Sequence, residues 1–66
     1  MIVNKKLQNC KLVGVNGNAF ALMGHFQSCA KKEGWTKEEI EKVLESAMAD
    51  DYDHLVFTLA EHCENP

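Results

Sequence analysis

The residues that could do chemistry in this chain are three cysteines, three histidines and one cluster of acids. Cys10, Cys29 and Cys63 are the cysteines; His25, His54 and His62 are the histidines. His25 and Cys29 stand four apart, so on a helix they share a face and are close enough to share a metal ion. His62 adjoins Cys63. None of these spacings is a recognised metal motif. Cys29 and Cys63 also fall on apolar helical stripes, which favours burial as small free thiols. The spacing therefore predicts no metal ligand set and no cofactor. The stretch "DDYDH" offers Asp51, Asp53 and His54 as general acid or base groups. No nucleophile, oxyanion donors or cofactor motif joins them, and acids at a helix start are what capping and the helix dipole favour. No catalytic residue is assigned, and an enzyme is not expected.

A second kind of site is suggested by "KLVGVNGNAF", Lys11 to Phe20. A helix start leaves N–H groups without partners and carries partial positive charge, so it can hold an anion. Gly14 and Gly17 would let the backbone come close to a ligand, Asn18 stands at the helix start, and Lys11 could supply charge. The spacing is only G-x-x-G. It lacks both the dinucleotide fingerprint and the G-K-[ST] end of a phosphate loop. A turn glycine followed by an asparagine cap accounts for the same letters.

The elements that must position these groups can be read from periodicity. Ile2, Val3, Leu7, Leu12, Val13 and Val15 suit one or two short strands, so residues 1–15 are expected to form a β-strand or hairpin. Three amphipathic helices follow, over 17–33, 37–49 and 51–63. The first begins at Asn16 or Asn18 and buries Ala19, Leu22, Met23, Phe26, Cys29 and Ala30; Gly34 ends it. In the second, Thr36 and Glu39 make a capping box and Ile40, Val43, Leu44, Ala47 and Met48 form the buried stripe. Asp50 or Asp51 caps the third, whose stripe is Tyr52, Leu55, Val56, Leu59 and Cys63. The fold class is α+β, mainly α, in one small domain.

Charge is split along the chain. Residues 1–32 carry +5 and residues 33–66 carry −8. Arginine, the preferred fork for bases and phosphates, is absent. Specific nucleic-acid readout is disfavoured, and single-strand binding with Phe20 or Trp35 stacking is the weaker alternative. An acidic half suits a basic protein partner instead. No apolar run approaches the ~20 residues of a membrane span, and the start has no signal-peptide h-region. An odd number of free thiols fits the cytoplasm.

Sixty-six residues bury a core that rarely supplies more than ~3–5 kcal/mol unaided. Along the first helix Gly17, Ala21, Gly24 and Ser28 make a flat small-residue strip. Gly24 within a helix costs ~1 kcal/mol against Ala, so something is expected to pack there: another element of the chain or a second copy. Ala21, Gly24 and Ser28, with Tyr52, Asp53 and Phe57, are the expected interface residues.

The runs "LVGVNGNAFALMG", "AKKEGWTKEEIEKVLESA" and "DYDHLVFTL" stand in order with short spacers. Residues 12–60 in this respect resemble a group of small uncharacterised proteins of bacterial genomes, phages and mobile elements that share a "GNAF…G" start and a "DYDHL" third helix. Asn18, Phe20, Gly24, Asp51, Tyr52, Asp53, His54 and Leu55 match its motif positions. The N-terminal "MIVNKKLQN" and Cys63 depart from it. The resemblance implies a cytosolic protein of phage or mobile-element kind and brings no activity. The expectation is a non-enzymatic interaction protein, as a homodimer, adaptor or inhibitor; the alternative is a small anion or nucleotide-phosphate binder at the Gly14–Asn18 loop.

Overall fold

Asn18 starts the first helix by accepting the Phe20 N–H on its side-chain oxygen at 2.8 Å, which satisfies one of the orphan donors of a helix start. The computed structural model describes residues 2–65, and Met1, part of the expected β-element, lies outside the described residues. Helix α1 spans Ala19–Lys32. It buries Leu22, Met23, Phe26 and Ala30 on one face. It ends in a Schellman turn: Trp35 N–H donates to the Ala30 carbonyl and Gly34 N–H to that of Lys31. That turn needs positive φ at its C′ residue, and Gly34 supplies it at +84°. The turn throws the buried Trp35 edge-on against Phe26, with ring centroids 5.8 Å apart.

Helix α2, Lys37–Ala47, opens with the full capping box. Thr36 Oγ1 accepts the Glu39 N–H at 3.2 Å, and the Glu39 carboxylate accepts the Thr36 N–H at 2.9 Å. Helix α3, Tyr52–Glu61, is capped by Asp51, whose carboxylate accepts the His54 N–H at 2.9 Å. The three helices pack on one another round a single core. Among the described residues, no helix is long and apolar enough to cross a membrane.

The expected N-terminal strand or hairpin does not form. Among the described residues the only ladder-type pairing is an isolated parallel bridge between Leu7 and Cys63. The apolar residues of the segment do not alternate; Val3, Leu7, Cys10 and Leu12 drop into the helical core as separate anchors. Four of its backbone donors go to side chains. Ile2 and Val3 N–H both donate to His62 Nε2 at 3.2 Å, and Gln8 and Asn9 N–H donate to the Glu33 carboxylate at 2.8 and 3.0 Å. A lone two-stranded ribbon is marginal in water, and here the helices offer better partners. The fold is a three-helix domain with an irregular N-terminal strap. Two stripe residues also differ from expectation, since Met48 and Tyr52 lie exposed at the α2–α3 corner.

Lys5 reaches across from the strap to Glu39, with Nζ 2.9 Å from the carboxylate. Its ammonium, and next the Thr36 N–H, hold the Glu39 carboxyl below its ordinary value. A carboxyl lowered on folding contributes stability above its unfolded pKa, and that contribution is lost as the pH falls through the folded value. Glu39→Gln keeps the capping geometry without the charge. Denaturant unfolding at several pH values should show a flatter acid limb for Glu39→Gln than for the parent, while Thr36→Ala should lower stability by about 1 kcal/mol at neutral pH.

Candidate functional site

Two regions of the surface combine unusual composition with defined geometry. The first is the corner where the strap, the start of α1 and the start of α3 meet. Leu12 to Val15 form a turn closed by the Val15 N–H on the Leu12 carbonyl at 3.2 Å. Its third residue needs positive φ, as in a type II turn, and Gly14 provides it at +91°. The turn pushes Val13 into solvent at 85% exposure. Asn16 Oδ1 then accepts the Asn18 N–H at 3.0 Å. The Tyr52 hydroxyl donates to the Gly17 carbonyl and latches α3 to the loop.

Tyr52 divides two apolar clefts. One, of about 390 Å³, is lined by Leu12, Val13, Val15, Leu22 and Val56. The other, of about 260 Å³, lies between Phe20, Met23, Met48 and Leu55. Phe20 is 79% exposed and Met48 55%. Large apolar side chains gathered this way mark contact surfaces more often than single exposed ones do.

The residues picked from the sequence are thus only partly assembled. Gly17, Tyr52 and the Asn18 cap meet at this corner. The N–H groups of Asn18 and Phe20 are taken by Asn16 and Asn18, and Lys11 is exposed on the strap. Gly24 and Ser28 are exposed, Ala21 is half-buried, and a Cβ at Gly24 would meet nothing within 4 Å. No element among the described residues packs on the small-residue strip there. Phe57 and Asp53 are exposed on α3, outside both clefts. His54 points to the α2–α3 corner, where its Nε2 donates to the Ser46 carbonyl at 2.9 Å. Sequence reasoning missed Val13, which was assigned to a strand, and Met48, which was assigned to the buried stripe of α2.

The second region is a thiol–imidazole cluster. The strap brings Cys10 beneath α1, next to the helical pair His25 and Cys29. One donor atom from each of the three lies within 4.8 Å of the others, and His25 Nε2 is 3.7 Å from Cys29 Sγ. Cys10 also adjoins Cys63, whose thiol donates to the Leu59 carbonyl at 3.3 Å. Burial first, then the neighbouring thiols, push Cys10 far above the ordinary thiol range; burial raises Cys63 as well. Burial of this kind favours the neutral thiol over the thiolate. His25 and Cys29 open onto a cleft of about 350 Å³ that Asn9, Lys32 and Glu33 complete. The i, i+4 pair was visible in the sequence; the third member, from a segment expected to form a β-element, was not.

No family model matches this chain, and neither a curated protein nor a solved structure matches it. The site therefore stands on its own geometry. In a reducing, chelating buffer, alkylation followed by peptide mass mapping should label the half-exposed Cys29 first. Cys10 and Cys63 should react only when denaturant opens the core. Labelling of Cys10 as fast as Cys29 would contradict the packing described.

Proposed function

We propose that this chain is a non-enzymatic interaction protein that works by self-association through the apolar corner and the exposed face of α1. The observation that carries this reading is the gathering of Val13, Phe20, Met48 and Tyr52 round two adjoining clefts on so small a domain. Phe20 and Gly24 stand one turn apart on α1, and the space over Gly24 is open. Two copies related by a two-fold axis could each set a ring against the other's small-residue strip, the self-complementary arrangement that dimers favour. A marginal core gains from such cover.

Charge is the weaker driver. On α2, Glu38 pairs with Lys42 at 3.4 Å and Glu41 with Lys37 at 3.9 Å, so part of the acidic face is neutralised within the helix. Groups that could move protons at the surface are engaged structurally: the Asp51 carboxylate caps α3 and His54 ties α3 to α2. A cytosolic setting accords with three free thiols. No specific observation favours anion binding at Gly14, Gly17, Asn18 and Lys11.

Sedimentation equilibrium over a wide concentration range tests the proposal. The parent should show a monomer–dimer equilibrium that added salt scarcely weakens. Phe20→Glu, at an exposed position, should leave folding intact and weaken the dimer at least about tenfold, as loss of an interface anchor does. A monomer mass at every concentration would refute self-association.

A further inference from the structure

Cys10, His25 and Cys29 form a set whose distances are those of an unassembled metal centre. Tetrahedral zinc binds thiolate sulfur at about 2.3 Å and imidazole nitrogen at 2.0–2.1 Å, which places neighbouring ligand atoms about 3.5–3.8 Å apart. The His25–Cys29 separation of 3.7 Å already meets this. The remaining pairs, within 4.8 Å, need to close by about 1 Å at most, a movement within reach of side-chain torsions. Two soft sulfurs and one imidazole nitrogen select zinc over the hard cations, which take oxygen.

We propose that Cys10, His25 and Cys29 bind one zinc ion, with the fourth position open to the cleft bounded by Asn9, Lys32 and Glu33. Cys10 closes the inner side of the site, and His25 and Cys29 face the cleft. A water molecule entering from the cleft completes the tetrahedron. Cys63 is left to its own contact with the Leu59 carbonyl. It stands outside the mutually close set among the described residues. Each cysteine gives up its proton to the buffer as its sulfur binds the ion.

The ion would join the strap to α1, since Cys10 belongs to one and His25 and Cys29 to the other. Small domains commonly add such a staple, and binding to the folded state alone raises its stability. The centre shares no lining residue with the apolar corner, so it stands or falls separately from self-association.

Cobalt(II), a spectroscopic stand-in for zinc, tests the centre directly in the reduced full-length chain. One equivalent should bind per chain, with thiolate-to-metal charge-transfer absorption and the strong visible bands of tetrahedral cobalt. One equivalent of zinc should bleach them, and zinc should raise the thermal unfolding midpoint. Cys29→Ser and His25→Ala lie at half-exposed positions where folding is expected to survive, and each should weaken cobalt binding at least about tenfold. Cys63→Ser should leave the spectrum in place. The proposal is overturned if the parent shows no thiolate-to-cobalt absorption, or if Cys29→Ser and His25→Ala bind as tightly as the parent. A spectrum lost in Cys63→Ser would overturn the three-ligand assignment.

Discussion

The fold depends on one buried imidazole. His62 lies just past the end of α3, fully enclosed. Its Nδ1 is 2.7 Å from the Thr58 carbonyl, and its Nε2 is 3.2 Å from the N–H groups of Ile2 and Val3. A carbonyl only accepts and an N–H only donates, so Nδ1 carries the proton and Nε2 the lone pair. Phe26 and Trp35 hold the ring edge-on from two sides. Beside it, Leu7 N–H donates to the His62 carbonyl and Glu64 N–H to the Leu7 carbonyl, each at 2.8 Å. The strap and the end of α3 therefore meet at one residue. Leaving a buried polar group without its partner costs about 1–3 kcal/mol, a large share of what so small a domain possesses.

Both candidate regions are consequences of that join. With the strap fixed at Ile2, Val3 and Leu7, its next stretch must cross α1 and turn back to start it. Cys10 arrives against His25 and Cys29 on the way. Leu12, Val13 and Val15 arrive beside α3, where Tyr52 latches the loop through the Gly17 carbonyl. The strap supplies one of the three residues of the thiol cluster and one wall of the larger cleft, and the helices with their caps supply the rest.

The helices were legible in the sequence because their signals are local. Asn18, Thr36 with Glu39, Asp51 and Gly34 each announce a helix end within a few residues, and the 3.6-residue period marks the buried faces. The strap was not legible, because its partners are remote. Val3, Leu7 and Leu12 are β-prone types, yet the N–H groups of Val3 and Leu7 go to His62 and those of Gln8 and Asn9 to Glu33, which lie far along the chain. For the same reason Cys10 could not be joined to the His25–Cys29 pair from spacing alone. Met48 and Tyr52 fell on periodic stripes but sit where α2 ends and α3 begins, too far out for the core to cover. The helical Gly24 predicts a packed neighbour, and no element among the described residues lies over it.

The most direct measurement is the tautomer of His62, read from the imidazole nitrogen shifts in a long-range proton–nitrogen NMR spectrum of the labelled protein. The structure requires the proton on Nδ1, an unprotonated Nε2, and slow exchange of the Nδ1 proton with water. An Nε2-protonated ring, or one in rapid exchange with solvent, would mean that the strap is not held by His62. Both the corner and the thiol cluster would then lose their common support.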